Sequence, residues 1–445
     1  MEIVIIGGIA AGMGAAAKAA RENPEANITV IEKEEYVSFG ACGLPYYLGG
    51  QFEDENFMFA RTVQQMEKTG IDIKIGHEAT KIDYDKKVVT YENVQTKEEQ
   101  FISYDRLMIA SGASAIIPKI EGVDAKNVYT FTRLKAVQEI KDHLDDYQNI
   151  TVIGGGFIGV EVSDQLAQLG KKVTMIEGLD RLMSTQFDPE FSEKIKTAVE
   201  EEGVEILLDQ FVKELVVTDG IVTQVKTDEK TIDTDLVILA IGYSPNTAFA
   251  KDERLNMLKN GAIVIDPSGE TSIPDVFSAG DCASSMHRQL GDIYLPLATM
   301  ASKIGRIVGV NIVSENKKTL EFIGSLGTGA VKAGNYEAGR TGMNEAEAEK
   351  LGIEYKTTLI STPSYTNYWP NPTSIDMKLI YEVGTKKLLG AQVFGEKDAV
   401  LRMTALTTAI HAGLSTDEIG FIDYAYAPPF ATTWEPLNIA ANTAK

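Results

Sequence analysis

The chain has 445 residues, room for about three domains at roughly 150 residues each. With 44% hydrophobic and 24% charged residues it has the balance of a folded globular protein, which excludes a disordered chain. Its 64 acidic and 42 basic residues leave a net charge of −22, arguing against nucleic acid or an anionic membrane as partner, and its two cysteines, Cys42 and Cys282, are too few for a disulfide framework.

The chain opens on a small, apolar stretch from Ile3 to Ala17 that is shorter than the roughly 18 residues of a membrane span, follows acidic Glu2 and is rich in glycine. It reads as the start of a cytoplasmic protein, not as a signal peptide. Ile3 to Ile6 predicts a buried strand, Gly7-Gly8-Ile9-Ala10-Ala11-Gly12 a glycine turn, and the small residues to about Arg21 a helix. Ile28 to Ile31, closing on Glu32, predicts the second strand of a βαβ unit. In such a turn the first glycine permits the bend, the last lets helix and strand pack closely, and the helix N-terminus faces a pyrophosphate. The closing carboxylate accepts from ribose hydroxyls. Ile9 stands at the central glycine position, so the copy is incomplete when taken alone.

Ten residues after Glu32 comes Cys42, in Ser38-Phe39-Gly40-Ala41-Cys42-Gly43. If the first unit holds a dinucleotide, this segment runs along it and brings Cys42 to its reactive end, where a thiolate can exchange electrons with a flavin. A free cysteine taken alone reads as a small buried hydrophobe; here Gly40 and Gly43 open backbone space that an inert core position does not need. A Cys-x4-Cys pair would need cysteine at position 37 or 47, which hold Val37 and Tyr47. A catalytic disulfide then has to form with a substrate thiol, or the sulfur cycles through a sulfenic acid.

Leu107 to Gly112 reads as a further core strand ending in small residues. The βαβ pattern then returns: Ile150 to Ile153, Gly154-Gly155-Gly156-Phe157-Ile158-Gly159, a helix to about Leu169, and Val173 to Ile176 closing on Glu177. The glutamate follows the first glycine by 25 residues in the first copy and 23 in the second, and the second copy fits the dinucleotide fingerprint fully. Leu236 to Gly242 is another buried strand, and Val276 to Gly280 ends on the carboxylate of Asp281, beside which Cys282 reads as structural. From about residue 322 the texture changes. Ser374–Glu382 and Leu388–Phe394 alternate as antiparallel strands, Ala399–Ala412 predicts a helix, and Tyr424 to Phe430 is too rigid and apolar for a loose tail. This part reads as a separate α+β domain whose tail packs against something. The four histidines lack metal-ligand spacing, so no metal is expected.

Taken together, Ile6 to Gly12, Ser38 to Cys42, Ala110-Ser111-Gly112, Gly154 to Glu161, Thr271 to Asp281 and Tyr426-Ala-Pro-Pro429 resemble the FAD-dependent pyridine nucleotide–disulfide oxidoreductases over nearly the whole chain. The likeness is to their single-cysteine branch: coenzyme A disulfide reductase, NADH oxidase and NADH peroxidase. It implies an α/β fold of two Rossmann-like dinucleotide-binding domains plus a C-terminal α+β dimerisation domain. The implied FAD domain is 1–115 with 246–320, the NAD(P)H domain 116–245 and the dimerisation domain 321–445. FAD would be held by Gly7, Gly8, Ile9, Ala10, Ala11, Gly12, Glu32, Lys33, Ala79, Ala110, Ser111, Gly112, Gly280 and Asp281, with Ala298 and Thr299 against the flavin ring. The nicotinamide cofactor, NADH with NADPH as the alternative, would take Gly154, Gly156, Ile158, Gly159 and Gly242, with Glu177 on its ribose and Glu161 near the nicotinamide.

The same resemblance implies a homodimer whose sites are each completed by the other subunit. Oxidase and peroxidase members usually carry a histidine where this chain has Ala10, whereas the coenzyme A disulfide reductases use tyrosines of the partner chain, at places matched here by Tyr368 and Tyr426. Reduction of a low-molecular-weight disulfide through Cys42 is the favoured expectation, with coenzyme A disulfide as substrate. NADH oxidation by oxygen through a Cys42 sulfenic acid is the alternative, and a flavin redox sensor with little turnover a third. Tyr368 also reads as a rim aromatic without a role. For the substrate, Ser38 and Phe39 flank the cysteine, and Lys18, Arg21 and Arg61 are the cations expected to meet an anionic adenosine end, with Lys18 and Arg21 sharing a helix face; both also read as ordinary solvated residues.

Overall fold

The computed structural model describes residues 1–445. The chain begins with β1 (Glu2–Ile6), α1 (Ala10–Glu22), β2 (Asn27–Ile31), β3 (Ile71–Lys74) and β4 (Arg106–Ile109). β5 (Val128–Thr130), β6 (Asn149–Ile153), α2 (Phe157–Gln168), β7 (Lys172–Ile176), β8 (Glu205–Leu207) and β9 (Leu236–Leu239) follow. Next come β10 (Val276–Ser278) and α3 (Ala298–Asn311). The C-terminal part holds β11 (Gly329–Ala333), β12 (Tyr336–Gly342), β13 (Tyr355–Pro363), β14 (Ser374–Glu382), β15 (Leu388–Gly395), α4 (Ala399–Ala412) and α5 (Pro436–Asn442).

One compact unit comprises Met1–Leu44, Phe52–Ala115 and Tyr243–Ser325. Its central sheet has the order β10-β4-β1-β2-β3 and is parallel throughout, as continuous aliphatic runs covered on both faces require. β1 sits between β2 and β4, so the loops after β1 and β4 diverge at a switch point, the place where such sheets take ligands. α1 crosses α3 at backbone distance: a Cβ on Gly305 would lie 2.5 Å from the Ala11 carbonyl oxygen, and one on Gly309 would lie 2.6 Å from that of Ala15. The small-residue composition of α1 is thus a packing requirement that seats its N-terminus. A three-stranded antiparallel ribbon, His77–Asp83, Val88–Asn93 and Glu99–Ser103, lies between β3 and β4 in the chain.

The second unit comprises Pro45–Gln51, Ile116–Gly242 and Leu326–Lys445. Its parallel sheet, ordered β8-β7-β6-β9-β5, repeats the arrangement: β6 lies between β7 and β9, with Ile150 opposite Val173 and Leu236. The repeat extends to a second antiparallel ribbon, Val212–Thr218, Ile221–Thr227 and Thr231–Asp233. In the same unit the C-terminal strands form an antiparallel sheet ordered β11-β12-β15-β14-β13. Ile375, Met377 and Leu379 of β14 are fully buried and join a core with Met403, Leu406 and Ala409 of α4, while Ile380, on the alternate positions, and Tyr381 are buried too, so the strand is covered on both faces where the sequence predicts one. Lys378, between Met377 and Leu379, is also buried, because its ammonium meets Asp188 at 2.9 Å and Glu345 at 3.0 Å. No helix is long and apolar enough to cross a membrane.

Candidate active site

In the first unit the glycine turn is dictated by close backbone approaches. Gly7 has φ +104, and a Cβ there would stand 2.1 Å from the Ala110 oxygen; a Cβ on Gly12 would stand 1.8 Å from the Gly7 oxygen. α1 begins at Ala10 with no side-chain cap on Ile9, so its first N–H groups are left for an anion. Glu32 is buried, and it is engaged within the turn. Its Oε2 accepts from Gly8 N–H at 2.6 Å and its Oε1 from Glu34 N–H at 2.8 Å, so the carboxylate braces the turn.

Across the switch point, Gly112 (φ +66) faces open space and Ser111 is held by Asn246, its hydroxyl donating to the Asn246 oxygen at 2.6 Å. Gly280 also has positive φ, +85, with Ala11 close by. Next to it, burial alone raises the Asp281 carboxyl, with no donor of the chain offsetting it, and the buried Tyr294 hydroxyl has no partner. An unpaired, largely buried carboxylate is costly unless something donates to it, and a ribityl chain is a row of hydroxyl donors. These features fit FAD. Ala298 and Thr299 are exposed in the uncapped first turn of α3. Lys33 is half-buried, and Ala79 is buried at a bulge of the antiparallel ribbon, between Ala79 and Lys81.

Cys42 lies in the 3-10 turn Ala41–Gly43 and is exposed and unbridged. Ser38, at φ 55, starts the loop in a left-handed conformation, a local strain of the kind stored near functional groups. Phe39 is buried, its ring 5.0 Å from Tyr36 and 5.3 Å from Phe59, so it anchors the loop and does not present a surface to substrate. Of the flanking glycines Gly43 is closely packed, a Cβ there falling 3.0 Å from the Met58 sulfur, whereas Gly40 is exposed and a Cβ on it would make only an ordinary contact, 3.4 Å from the Met58 oxygen. Cys282 is fully buried, donates to the carbonyl oxygens of Ile109 and Ala279, and has its thiol pushed up by burial. It is an inert core sulfur.

The second unit repeats the cradle. Gly154 has φ +110 with a would-be Cβ 2.4 Å from the Ala240 oxygen, and a Cβ on Gly159 would stand 1.8 Å from the Gly154 oxygen. Gly156 faces open space, Ile158 is half-buried and Gly242 has φ +108. Glu177 mirrors Glu32, accepting from Gly155 N–H at 2.6 Å and Leu179 N–H at 2.8 Å. Arg181, the first cation after β7, is occupied by Asp180 at 2.9 Å. Glu161 lines a cavity of about 340 Å³ together with Tyr46, Val331, Lys332 and Tyr336. The Tyr46 hydroxyl donates to Glu161 Oε1 at 2.9 Å, yet burial pushes this carboxyl up to about 7.

Also in this unit, Tyr368 and Tyr426 are brought together, hydroxyl to hydroxyl, at 3.4 Å. Their hydrogen bond raises the Tyr426 phenol. Around them the tail is ordered but exposes large aromatics, with Phe421 76% and Phe430 69% accessible in the single chain. Of the substrate cations, Lys18 is tied to Glu22, whereas Arg21 and Arg61 are exposed.

Two matched turns, each with an uncapped helix and a bracing glutamate, together with an exposed cysteine, define a two-dinucleotide oxidoreductase scaffold. Residues 1–305 match the pyridine nucleotide-disulphide oxidoreductase family and residues 328–437 its dimerisation domain. The chain belongs to this family and is an FAD- and NAD(P)H-dependent oxidoreductase. It is 31% identical over 447 residues to an NADH oxidase of Enterococcus faecalis, spanning 100% of this chain and 99% of that protein. To an NAD(P)H coenzyme A polysulfide/persulfide reductase of Pyrococcus horikoshii it is 34% identical over 448 residues, 100% of this chain and 98% of that protein. The water-forming NADH oxidase from Lactobacillus brevis, bound to NADH, superposes with a TM-score of 0.95 at 30% identity, over 99% of this chain and 97% of that one.

Proposed function

We propose that the protein uses NADH to reduce a low-molecular-weight disulfide, coenzyme A disulfide above all, through Cys42. The observation that carries this reading is that Cys42 is the one exposed cysteine: any disulfide it enters has to include a sulfur of the substrate. FAD, held by the first cradle, supplies when bound the two-electron relay between nicotinamide and sulfur. The Cys42 thiolate attacks one sulfur of the substrate, forming a mixed disulfide and expelling the first thiolate, which a phenol of Tyr426 or Tyr368 protonates. Two electrons from NADH then cleave the mixed disulfide, so that one disulfide, one NADH and one proton give two thiols and NAD⁺. Ala10 in place of a histidine and the presence of the phenol pair favour this outcome over oxygen reduction.

Oxygen reduction through a Cys42 sulfenic acid is the second reading, supported by the likeness to NADH oxidases. The deciding test pairs oxygen uptake under NADH with anaerobic NADH consumption on coenzyme A disulfide; fast uptake with no anaerobic consumption would replace the first reading by the second. We place the protein in the cytoplasm as a homodimer, each site completed by the partner's phenols, in keeping with its dimerisation domain, its exposed tail aromatics and its unbridged cysteines.

Two expectations follow from the cradles. Glu161, which this reading sets near the nicotinamide, holds its proton to about pH 7 against an ordinary 4.5, so its contribution to stability is present below pH 4.5 and lost as pH rises to about 7. The kcat/KM profile for NADH should bend near that pH in the parent and lose the bend in Glu161→Gln. For the substrate, Lys18→Ala with Arg21→Ala should raise the KM for coenzyme A disulfide about 3-fold or more, as loss of exposed charge contacts does, and leave that for NADH unchanged. Steady-state kinetics with no change in either would sink the assignment, and Arg61→Ala would then be the variant to examine.

A further inference from the structure

We propose that Arg402 is the positioning residue of the Tyr368–Tyr426 pair; the inference rests on the reading above, in which these phenols protonate the leaving thiolate. The two tyrosines are 58 residues apart on separate loops, so nothing in the chain's local geometry sets their hydroxyls 3.4 Å from each other. One side chain of α4 reaches both loops. The Arg402 Nη2 donates to the carbonyl oxygen of Ser364, at the root of the Tyr368 loop, at 3.0 Å, and to that of Phe430, beyond Tyr426, at 2.7 Å. Its Nε donates to Glu435 Oε1, and Glu435 in turn accepts from Leu437 N–H at 2.6 Å in the first turn of α5.

The guanidinium side chain is 11% exposed and that of Glu435 9%, so the pair is shielded from solvent and holds a fixed geometry. Two lesser ties run alongside: Thr366 Oγ1 donates to the Pro428 oxygen at 3.3 Å, and the Tyr365 hydroxyl donates at 2.7 Å to Asp398, the residue before α4. One rigid guanidinium serves both carbonyls through Nη2 and the carboxylate through Nε. Lysine keeps the charge and loses the fork.

The test uses FAD-loaded protein with 3-fluorotyrosine at position 426, read by fluorine NMR. Tyr368→Phe should shift the resonance in the parent and leave it nearly unmoved in Arg402→Lys. Arg402→Lys should also lower kcat for disulfide reduction about 10-fold, the low end of a general acid's contribution, without changing the KM for NADH or the rate at which NADH bleaches the flavin. It should add no further loss in the Tyr368→Phe/Tyr426→Phe background. Glu435→Gln, which weakens the ion pair and leaves both carbonyl bonds, should retain the fluorine response. An unchanged response in Arg402→Lys, or its equal loss in Glu435→Gln, overturns the inference. A lost response in Arg402→Lys alone, in a protein whose Tyr368→Phe/Tyr426→Phe variant still reduces disulfide at the full rate, upholds the positioning and removes the acid role of the phenols.

Discussion

Replacing Cys42 by serine is expected to leave a yellow, FAD-loaded protein whose disulfide reductase turnover has fallen by ~10³-fold or more, the scale on which loss of a covalent nucleophile is felt. Serine cannot form a disulfide, and no other sulfur can replace the lost one: Cys282 is fully buried and hydrogen-bonded to the Ile109 and Ala279 carbonyls. FAD retention follows from the architecture, because the groups that brace the flavin turn, Gly7, Gly12 and Glu32, and the unpaired Asp281 lie at strand ends and in α1, whose geometry does not depend on the thiol. Flavin absorbance of the purified variant and anaerobic NADH consumption with coenzyme A disulfide check both halves. Full disulfide turnover in Cys42→Ser would refute the mechanism, and mass spectrometry of the parent should find a thiol adduct on Cys42.

The two dinucleotide cradles were legible in the sequence because their constraints are local. A strand, a glycine turn and a helix occupy one short window, and the steric reason for each glycine is a carbonyl oxygen that a Cβ would strike, as at Gly12 and Gly159. β14 and α4 were equally readable, since one alternates at a period of two and the other is a single helical run. What stayed hidden depends on distant partners. The bracing of Gly8 by Glu32 and of Gly155 by Glu177 joins residues more than 20 positions apart, a tie that the local pattern does not show. Phe39 read as a substrate contact because its neighbours are glycine and cysteine; the aromatic ring of Phe59 that buries it lies 20 residues on. The antiparallel ribbons escaped notice for a different reason: their strands are half exposed and carry little hydrophobic contrast, as in Glu99–Ser103.

Catalytic efficiency is expected to favour NADH over NADPH by ~10²-fold, the ratio set by about 3 kcal/mol of like-charge repulsion between a carboxylate and a 2′-phosphate. Glu177 is that carboxylate, at the end of β7, where the adenosine ribose meets a Rossmann sheet. NADPH-selective sites put a cation just after this strand; here Gly178, Leu179 and Asp180 follow, and Arg181 is neutralised by Asp180 at 2.9 Å, while Lys171 donates to the Leu144 carbonyl oxygen at 2.6 Å, away from the turn. Adding a cation is not simple either, because a Cβ on Gly178 would lie 2.6 Å from the Phe211 ring, which has to turn aside first. Glu177→Ala should cut the NADH preference about 10-fold, with part of the change a loss of NADH efficiency, since Gly155 and Leu179 N–H lose their acceptors. Glu177→Gln separates the two effects: it removes the charge while its amide oxygen still accepts from one of those donors. The measurement is kcat/KM for both cofactors in the parent and the two variants. A parent that prefers NADPH would show that Arg181 leaves Asp180 for the phosphate and that Glu177 does not govern the choice.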